Sequence, residues 1–325
     1  MTNRRARWGA ITGAAVVGFL VLAGCSTSST GEPASSGVTG RPTATTQAAP
    51  ADRDVSGAFD VGGGRQIHLA CRGSGSPTVV LIPGTGNAGD TWDEARPPPG
   101  TTSATGAGDE PVFSHTARTT RVCTYDRPGT ERADGSPGGS TAVAQPTSAK
   151  GDAADLHLVL TAAGVRGPYV LVGHSFGGLI ATTYARTYPD VAGLVLVDPA
   201  SPFMATTMGP SAWGQYVQAA RSRAADGGET IDPEASNRDV DALPPLPSMP
   251  VVVLSSDRAW FILPFGENGQ PIDYSDALVQ SQRMLASSLG ATHITETDSA
   301  HDIYLENPAL VNEQICAVLG RPPTC

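Results

Sequence analysis

The sequence predicts an α/β fold, in which buried strands alternate with helices. Short runs of β-branched and other apolar residues, typical of buried strands, occur at 78–82, 169–172, 193–197 and 251–254. Segments with apolar residues at helical spacing predict helices between these strands. About 270 residues remain once the N-terminal segment is set aside, a length that suits one sizeable α/β domain.

The N-terminal segment has the pattern of an export signal. Residues 1–24 combine three early arginines with an apolar run, residues 9–23, that is too short to span a membrane comfortably. The segment ends in Leu-Ala-Gly before Cys25, which resembles a bacterial lipobox and implies cleavage before Cys25 and a lipid on its thiol. A plain secretory signal or a short anchor is the alternative. Arg4-Arg5 leaves Sec and twin-arginine export both open.

The residues after the signal predict a tether to the folded domain. Residues 25–54 are mostly Ser, Thr, Gly, Pro and Ala, and they cannot bury enough apolar surface to offset their ordering entropy. We therefore expect a disordered tether at 25–54 and a folded domain at 55–325. The protein is expected to be held by its lipid at the outer face of the cell membrane, or else secreted.

The charge of the chain excludes some partners. The net charge is −10, and residues 1–24 hold three arginines and no acidic residue, so the remainder has 18 basic against 31 acidic residues, or −13. A strongly acidic chain is a poor ligand for nucleic acid. It also has no basic patch for an anionic membrane, so membrane association would depend on the lipid. No protein partner is indicated.

The first part of the domain predicts strands separated by turns. Four strands are predicted before residue 130, at 59–61, 66–71, 78–82 and 121–125. Gly62-Gly63-Gly64 predicts a hairpin turn between the first two. Residues 92–115 predict an irregular surface excursion, because Pro, Gly and Thr interrupt the expected helix. Asp126-Arg127 is interpreted as part of structural ion pairs.

The remaining elements continue the alternation. Helices are predicted at 148–163, after Ser175 to Tyr188, at 213–225, at 275–289 and from 307 to 319, and a last strand at 292–297. Residues 199–249 otherwise lose strand character and are polar and proline-rich. A segment of roughly 50 residues is well above ordinary loop lengths.

The segment Tyr169–Gly178, Y-V-L-V-G-H-S-F-G-G, carries the chemistry. It reads as a strand, a sharp turn with the pattern G-x-S-x-G, and a helix. Gly173 and Gly177 leave room for Ser175 at the tip, where the strained backbone holds the hydroxyl toward solvent. Free N–H groups of the following helix lie beside it.

This segment resembles the nucleophile elbow of the α/β-hydrolase superfamily. The resemblance implies a mostly parallel, twisted sheet of about eight strands with helices on both faces. It also implies a small lid between strands 6 and 7, here residues 199–249. A serine nucleophile excludes the haloalkane dehalogenase and epoxide hydrolase interpretations, which need a carboxylate.

The resemblance assigns the other site residues by their position. Thr85, in the loop Pro83-Gly84-Thr85-Gly86-Asn87, and Phe176 would give backbone N–H groups to an oxyanion. Pro83 replaces the usual histidine of that loop. The string D-S-A-H-D-I-Y-L-E-N-P resembles the last loop of the family, so His301 is the expected general base. Asp257 after the seventh strand is preferred as the triad acid, and Asp198 after the sixth is kept as the alternative.

The cysteines predict disulfides. Without Cys25, the chain has an even set of four: Cys71, Cys123, Cys316 and Cys325. An even set in an exported protein predicts two disulfides with three pairings open, and the absence of C-x-x-C spacing argues against a zinc site. In the sheet order of the resembled family the second strand pairs with the fourth, which implies Cys71–Cys123 and leaves Cys316–Cys325.

Together these features predict a serine hydrolase of the carboxylesterase class acting on small to medium esters through an acyl-enzyme. No metal or other cofactor is required. An amidase or aminopeptidase of the same fold is the alternative within enzymes, and a non-catalytic binding lipoprotein is the alternative outside them.

Overall fold

The computed structural model describes residues 53–95, 110–222, 228–265, 269–323 and 325. The predicted signal peptide, Cys25 and nearly all of the predicted tether lie outside these ranges. None of the described helices is long and apolar enough to cross a membrane.

Eight strands form one sheet, and two more form a small hairpin. The strands are β1 (Val55–Gly62), β2 (Arg65–Arg72), β3 (Thr78–Ile82), β4 (Val122–Tyr125), β5 (Tyr169–His174), β6 (Val191–Val197), β7 (Val251–Leu254), β8 (Ile262–Leu263), β9 (Ile272–Asp273) and β10 (Thr292–Ile294). The large sheet has the order β1-β2-β4-β3-β5-β6-β7-β10, and β8 pairs with β9. The pairs β1–β2 and β2–β4 are antiparallel and the others in the large sheet are parallel. The predicted fold class, a mostly parallel sheet of about eight strands, is confirmed.

Helices cover both faces of the sheet. They are α1 (Val112–Thr119), α2 (Ala149–Ala162), α3 (Phe176–Thr187), α4 (Met204–Met208), α5 (Pro210–Ser222), α6 (Pro233–Asp241), α7 (Ser275–Leu289), α8 (Ile303–Glu306) and α9 (Pro308–Val318), with a 3-10 turn at Gly89–Asp93. Alternate strand residues enter two separate cores, because strand side chains point to opposite faces. Leu171 packs in the core with α2 and α3, whereas Val170 and Val172 pack in the core with α9.

Both predicted disulfides are confirmed. Cys71 and Cys123 are directly opposite in the register of β2 and β4, with Cα atoms 4.0 Å apart. Cys316 of α9 is bonded to Cys325, which ties the C-terminus to that helix.

The sequence interpretation missed four of the described helices, α1, α4, α6 and α8. α1 lies at the end of the segment expected to be irregular, and it contains His115. The predicted lid holds α4 and α6 in addition to α5, which begins three residues before its predicted start at Trp213. α6 has detectable start signals, since Asp232 caps the N–H of Ala235 at 2.9 Å and Pro233 occupies the first turn.

A second excursion, between β7 and α7, was not anticipated. Within it, residues 260–265 (Trp-Phe-Ile-Leu-Pro-Phe) form what we call the aromatic segment. Phe261 is buried in a small core with residues of α4, α5 and α7 that is separate from the two cores against the sheet. The aromatic segment therefore packs against helices of the predicted lid.

Candidate active site

Ser175 lies between β5 and α3 in a strained backbone conformation, with φ 52° and ψ −122°. A Cβ on Gly173 would collide with the carbonyl of Gly177, and a Cβ on Gly177 would collide with the carbonyl of Ile82. These two glycines are therefore required by close backbone approach. The Ser175 side chain makes no capping hydrogen bond to α3, which leaves its hydroxyl available for chemistry.

His301 and Asp198 are in direct contact. His301 Nδ1 lies 2.7 Å from Asp198 Oδ2. A carboxylate can only accept, so Nδ1 carries the proton and His301 Nε2 is left as an acceptor. Asp198 follows β6, which is the neighbour of β5 in the sheet, so its carboxylate lies one strand away from Ser175.

The Asp198 carboxylate is fully buried and held by two further donors. Its Oδ1 accepts hydrogen bonds from the Ser256 backbone N–H and from Gln282 Nε2, both at 3.0 Å. Because these two bonds hold Oδ1 in place, they also fix the position of Oδ2, the oxygen that faces His301.

Asp257, the preferred acid of the sequence interpretation, is not placed against His301, and that preference is wrong. Its carboxylate accepts from the backbone N–H groups of Thr297, Asp298 and Ser299 at 2.9–3.0 Å. Burial acts to raise the pKa of Asp257, but these N–H bonds outweigh it and hold the pKa below its ordinary value. Asp257 shapes the loop that leads from β10 toward His301.

Two aromatic side chains hold the His301 ring. Trp260 stacks on it with ring centroids 3.7 Å apart and planes inclined by 18°. The His174 ring also contacts it, with ring centroids 4.4 Å apart. Trp260 is itself fixed by donating from Nε1 to Ser256 Oγ at 3.0 Å. The His301 ring thus contacts side chains from two elements that are distant in sequence.

His174 connects the elbow to the His301 loop. Its Nε2 lies 3.1 Å from the backbone carbonyl oxygen of His301, and a carbonyl only accepts, so Nε2 carries the proton. Its Nδ1 is buried without a hydrogen-bond partner in the described structure and packs against Gly84. Burial, and then the neighbouring His301, lower the pKa of His174, which keeps the ring neutral. This contact brings His301 next to the residue that precedes Ser175.

The predicted oxyanion donors come from two elements that meet at the elbow. Phe176 is the first residue of α3, so its N–H has no partner within the helix. Thr85 lies in the loop after β3, beside the elbow, because a Cβ on the adjacent Gly84 would lie 3.2 Å from the Ser175 Cβ.

A buried ion pair holds the loop that contains Thr85. Arg127 Nε donates to Glu229 at 2.6 Å, and both side chains are almost completely buried. The Arg127 guanidinium also donates to the carbonyls of Pro83 and Gly84 at 2.7 and 2.6 Å, and the Gly86 N–H donates to Glu229 at 2.6 Å. The structural role predicted for Arg127 is confirmed, and its lid partner Glu229 was missed.

Asp126 has the other structural role predicted. Its carboxylate accepts from the N–H groups of Gly89 and Gly139 at 2.9 and 2.8 Å and pairs with Arg132. It thereby fixes the 3-10 turn and the loop after β4.

We expect Glu229→Gln to destabilise the protein by about 3–5 kcal/mol, because it leaves Arg127 buried without a counter-ion. In the native protein burial lowers the pKa of Arg127, but Glu229 outweighs burial and raises that pKa. In the variant this partner is lost, but the guanidinium cannot neutralise itself, because arginine is not deprotonated in proteins. Urea denaturation measures the change. Glu234→Gln is the control, since Glu234 is 45% exposed in its pair with Arg221. Equal midpoints for the two variants would contradict the prediction.

The described residues contain no group of three or more His, Cys, Asp or Glu side chains that could hold a metal ion. The chemistry available at this site is that of a serine hydroxyl, an imidazole paired with a buried carboxylate, and backbone N–H groups.

The sheet order and the strand–turn–helix at Ser175 define the α/β-hydrolase class. Residues 79–314 match the family model described as "Alpha/beta hydrolase family", and the chain belongs to this family. Its fold and its family support hydrolase activity.

Among curated proteins, the chain is 31% identical over 156 residues to an uncharacterized protein of Schizosaccharomyces pombe, covering 42% of this chain and 26% of that protein. It is 29% identical over 130 residues to the uncharacterized protein YqjL of Bacillus subtilis, covering 40% of this chain and 42% of that protein. The matched segments thus span less than half the length of these relatives.

Solved structures share the fold at low identity. Est816, described as an N-acyl homoserine lactone degrading enzyme, has a TM-score of 0.52 and 19% identity, over 80% of this chain and 99% of that one. A thermophilic esterase from Thermogutta terrifontis has a TM-score of 0.51 and 19% identity, over 82% and 98%. A putative lipase from Acinetobacter baumannii has a TM-score of 0.51 and 18% identity, over 82% and 91%.

Proposed function

We propose that this protein is a serine hydrolase that cleaves carboxylic esters through an acyl-enzyme. The proposal rests on the contact between His301 Nδ1 and Asp198 Oδ2, which is 2.7 Å long. Asp198 and the strained Ser175 follow the neighbouring parallel strands β6 and β5 and therefore lie at the same end of the sheet. This contact fixes the tautomer in which His301 Nε2 can accept a proton, as a general base must.

In the first half of the reaction, Ser175 Oγ attacks the ester carbonyl carbon and its proton passes to His301 Nε2. The Thr85 and Phe176 N–H groups stabilise the negative charge on the carbonyl oxygen. The bond from the carbonyl carbon to the alcohol oxygen then breaks, and His301 returns the proton to the leaving alcohol.

In the second half, water attacks the Ser175 ester. His301 accepts a proton from the water, the carboxylic acid leaves, and the proton returns to Ser175 Oγ. Asp198 stabilises the imidazolium that forms in both halves.

Labelling and substrate comparison test this function. A fluorophosphonate probe is expected to modify the purified protein, and peptide mass spectrometry is expected to place the adduct on Ser175. Short p-nitrophenyl esters are expected to be hydrolysed much faster than aminoacyl anilides. Absence of both labelling and ester hydrolysis would favour a non-catalytic binding lipoprotein, and faster cleavage of anilides would favour an aminopeptidase.

We also propose that a lipid on Cys25 holds the enzyme at the outer face of the membrane. The support is the lipobox-like end of the apolar run at 9–23. Labelled palmitate is expected to appear in the protein and to be lost in Cys25→Ser, with transfer of the protein to the soluble fraction. Retention of Cys25→Ser in the membrane without lipid would indicate an uncleaved anchor instead.

A further inference from the structure

A cavity of about 370 Å³ lies between α5 and the aromatic segment. Its walls are contributed mainly by apolar side chains. The lining residues are Thr85, Tyr216, Ala219, Ala220, Ile231 and residues 260–265. Small-molecule sites are typically apolar cavities of this order of size with few polar groups.

The cavity begins at the candidate active site. Thr85, whose N–H is the proposed oxyanion donor, forms part of its wall. Trp260, whose ring stacks on His301, forms another part. A group attached to a carbonyl whose oxygen is bound by Thr85 would therefore extend directly into this cavity.

The side chains that line the cavity favour an uncharged ligand over a charged one. None of the described lining residues has a charged side chain, and the polar side-chain groups among them are the Thr85 and Tyr216 hydroxyls and the Trp260 indole N–H, which is bonded to Ser256. A buried ammonium or carboxylate needs a partner of opposite charge, which these walls do not supply. An uncharged, apolar group is the occupant that fits them.

The shape of the cavity is set by aromatic packing. Phe261 contacts Trp260 at 5.0 Å and Tyr216 at 5.8 Å between ring centroids. The contact with Tyr216 joins the aromatic segment to α5, so the two walls pack against each other. Liquid water occupies about 30 Å³ per molecule, so the cavity has room for about a dozen water-sized groups.

We propose that this cavity is the acyl pocket of the enzyme, and that its preferred substrates are uncharged esters with a medium-length aliphatic or an aromatic acyl group. This inference rests on the proposed function, since it places the acyl carbonyl at Thr85. The aromatic segment is then the main specificity element, and Trp260 is shared by the acyl pocket and the general base.

A series of p-nitrophenyl esters from acetate to dodecanoate tests the pocket. For the native protein, kcat/KM is expected to rise by up to about fourfold for each added methylene until the cavity is filled, at no more than about a dozen carbons, and then to stop rising. A flat series with active acetate hydrolysis would overturn the acyl pocket while leaving the serine hydrolase intact. No acetate hydrolysis and no labelling of Ser175 would instead contradict the proposed function.

Two variants should move the optimum in opposite directions. Ala219 is an exposed residue of α5 that lines the cavity, so Ala219→Phe narrows it with little effect on the cores. It is expected to lower kcat/KM for octanoate more than about tenfold while acetate stays within about twofold. Phe265→Ala enlarges the cavity and is expected to favour longer acyl chains.

Gln218→Phe is the matched control, because Gln218 is exposed on the same helix but does not line the cavity. It is expected to leave kcat/KM unchanged across the ester series.

A second series consists of acetate esters in which only the alcohol varies. If Ala219→Phe changes the alcohol series and leaves the acyl series unchanged, the cavity binds the alcohol and the acyl assignment is overturned.

Discussion

Replacing Ser175 with alanine is expected to lower kcat for ester hydrolysis about 10⁶-fold, the size of loss seen when a triad nucleophile is removed. Alanine keeps the Cβ and the backbone conformation, with φ 52°, but has no oxygen to form the acyl-enzyme. The measurements are the kcat for p-nitrophenyl acetate and labelling by a fluorophosphonate. Ser211→Ala, on the exposed face of α5, should leave both unchanged.

The strain at Ser175 gives this prediction a second readout. Glycine adopts positive φ without steric cost, so Ser175→Gly should be as inactive as Ser175→Ala but more stable by about 1 kcal/mol. Urea denaturation measures the free energy of unfolding of both variants. Because both lack the nucleophile, the difference between them reports on the backbone and not on catalysis. Equal stability would mean that relief of strain at the elbow does not exceed the extra chain entropy that glycine loses on folding. Residual activity in either variant would place the nucleophile elsewhere.

Asp198→Asn is expected to lower kcat about 10⁴-fold, because the asparagine amide would force the wrong tautomer on His301. Ser256 N–H and Gln282 Nε2 both donate to Asp198 Oδ1, so the amide oxygen must take that position. The amide NH₂ would then face His301 Nδ1, which could no longer donate. The ring proton would move to Nε2, which could not accept the proton of Ser175.

Asp257→Asn is the matched comparison. It is expected to change kcat by less than about tenfold and to lower stability by about 1–3 kcal/mol, because the carboxylate that accepts three backbone N–H bonds becomes neutral. Measuring kcat for both variants on one short ester decides between the two carboxylates. A loss in Asp257→Asn as large as that in Asp198→Asn would restore Asp257 as the acid.

Much of the fold was predictable because its signals are local. The bounds of β3, β7 and α7 agree with the predicted 78–82, 251–254 and 275–289. Buried parallel strands are continuous apolar runs, and long amphipathic helices have a clear period, so a short window of residues identifies each. The missed α4 and α6 lie in a polar, proline-rich segment. They are short, so they contain too few turns for the helical period to be recognised.

The site was predictable only in part for a related reason. Asp198 and Asp257 both follow buried strands, so the pattern around each is nearly the same, and chain order allows either. Glu229 carries no motif, and its partner Arg127 lies 102 residues away in sequence. Trp260 lies in a loop without periodicity, and its contact with His301 joins two separate loops.

The sequence alone determined the class of fold, the candidate nucleophile Ser175 and the candidate base His301. These depend on backbone requirements within a few residues, such as the glycines of a tight turn, and on the order of elements along the chain. Only the tertiary structure decided that Asp198 faces His301, that Glu229 neutralises Arg127 and that aromatic side chains enclose a cavity at Thr85. Each of these is a contact between side chains far apart in sequence, and its geometry exists only once the strands are paired and the loops at their ends are brought together.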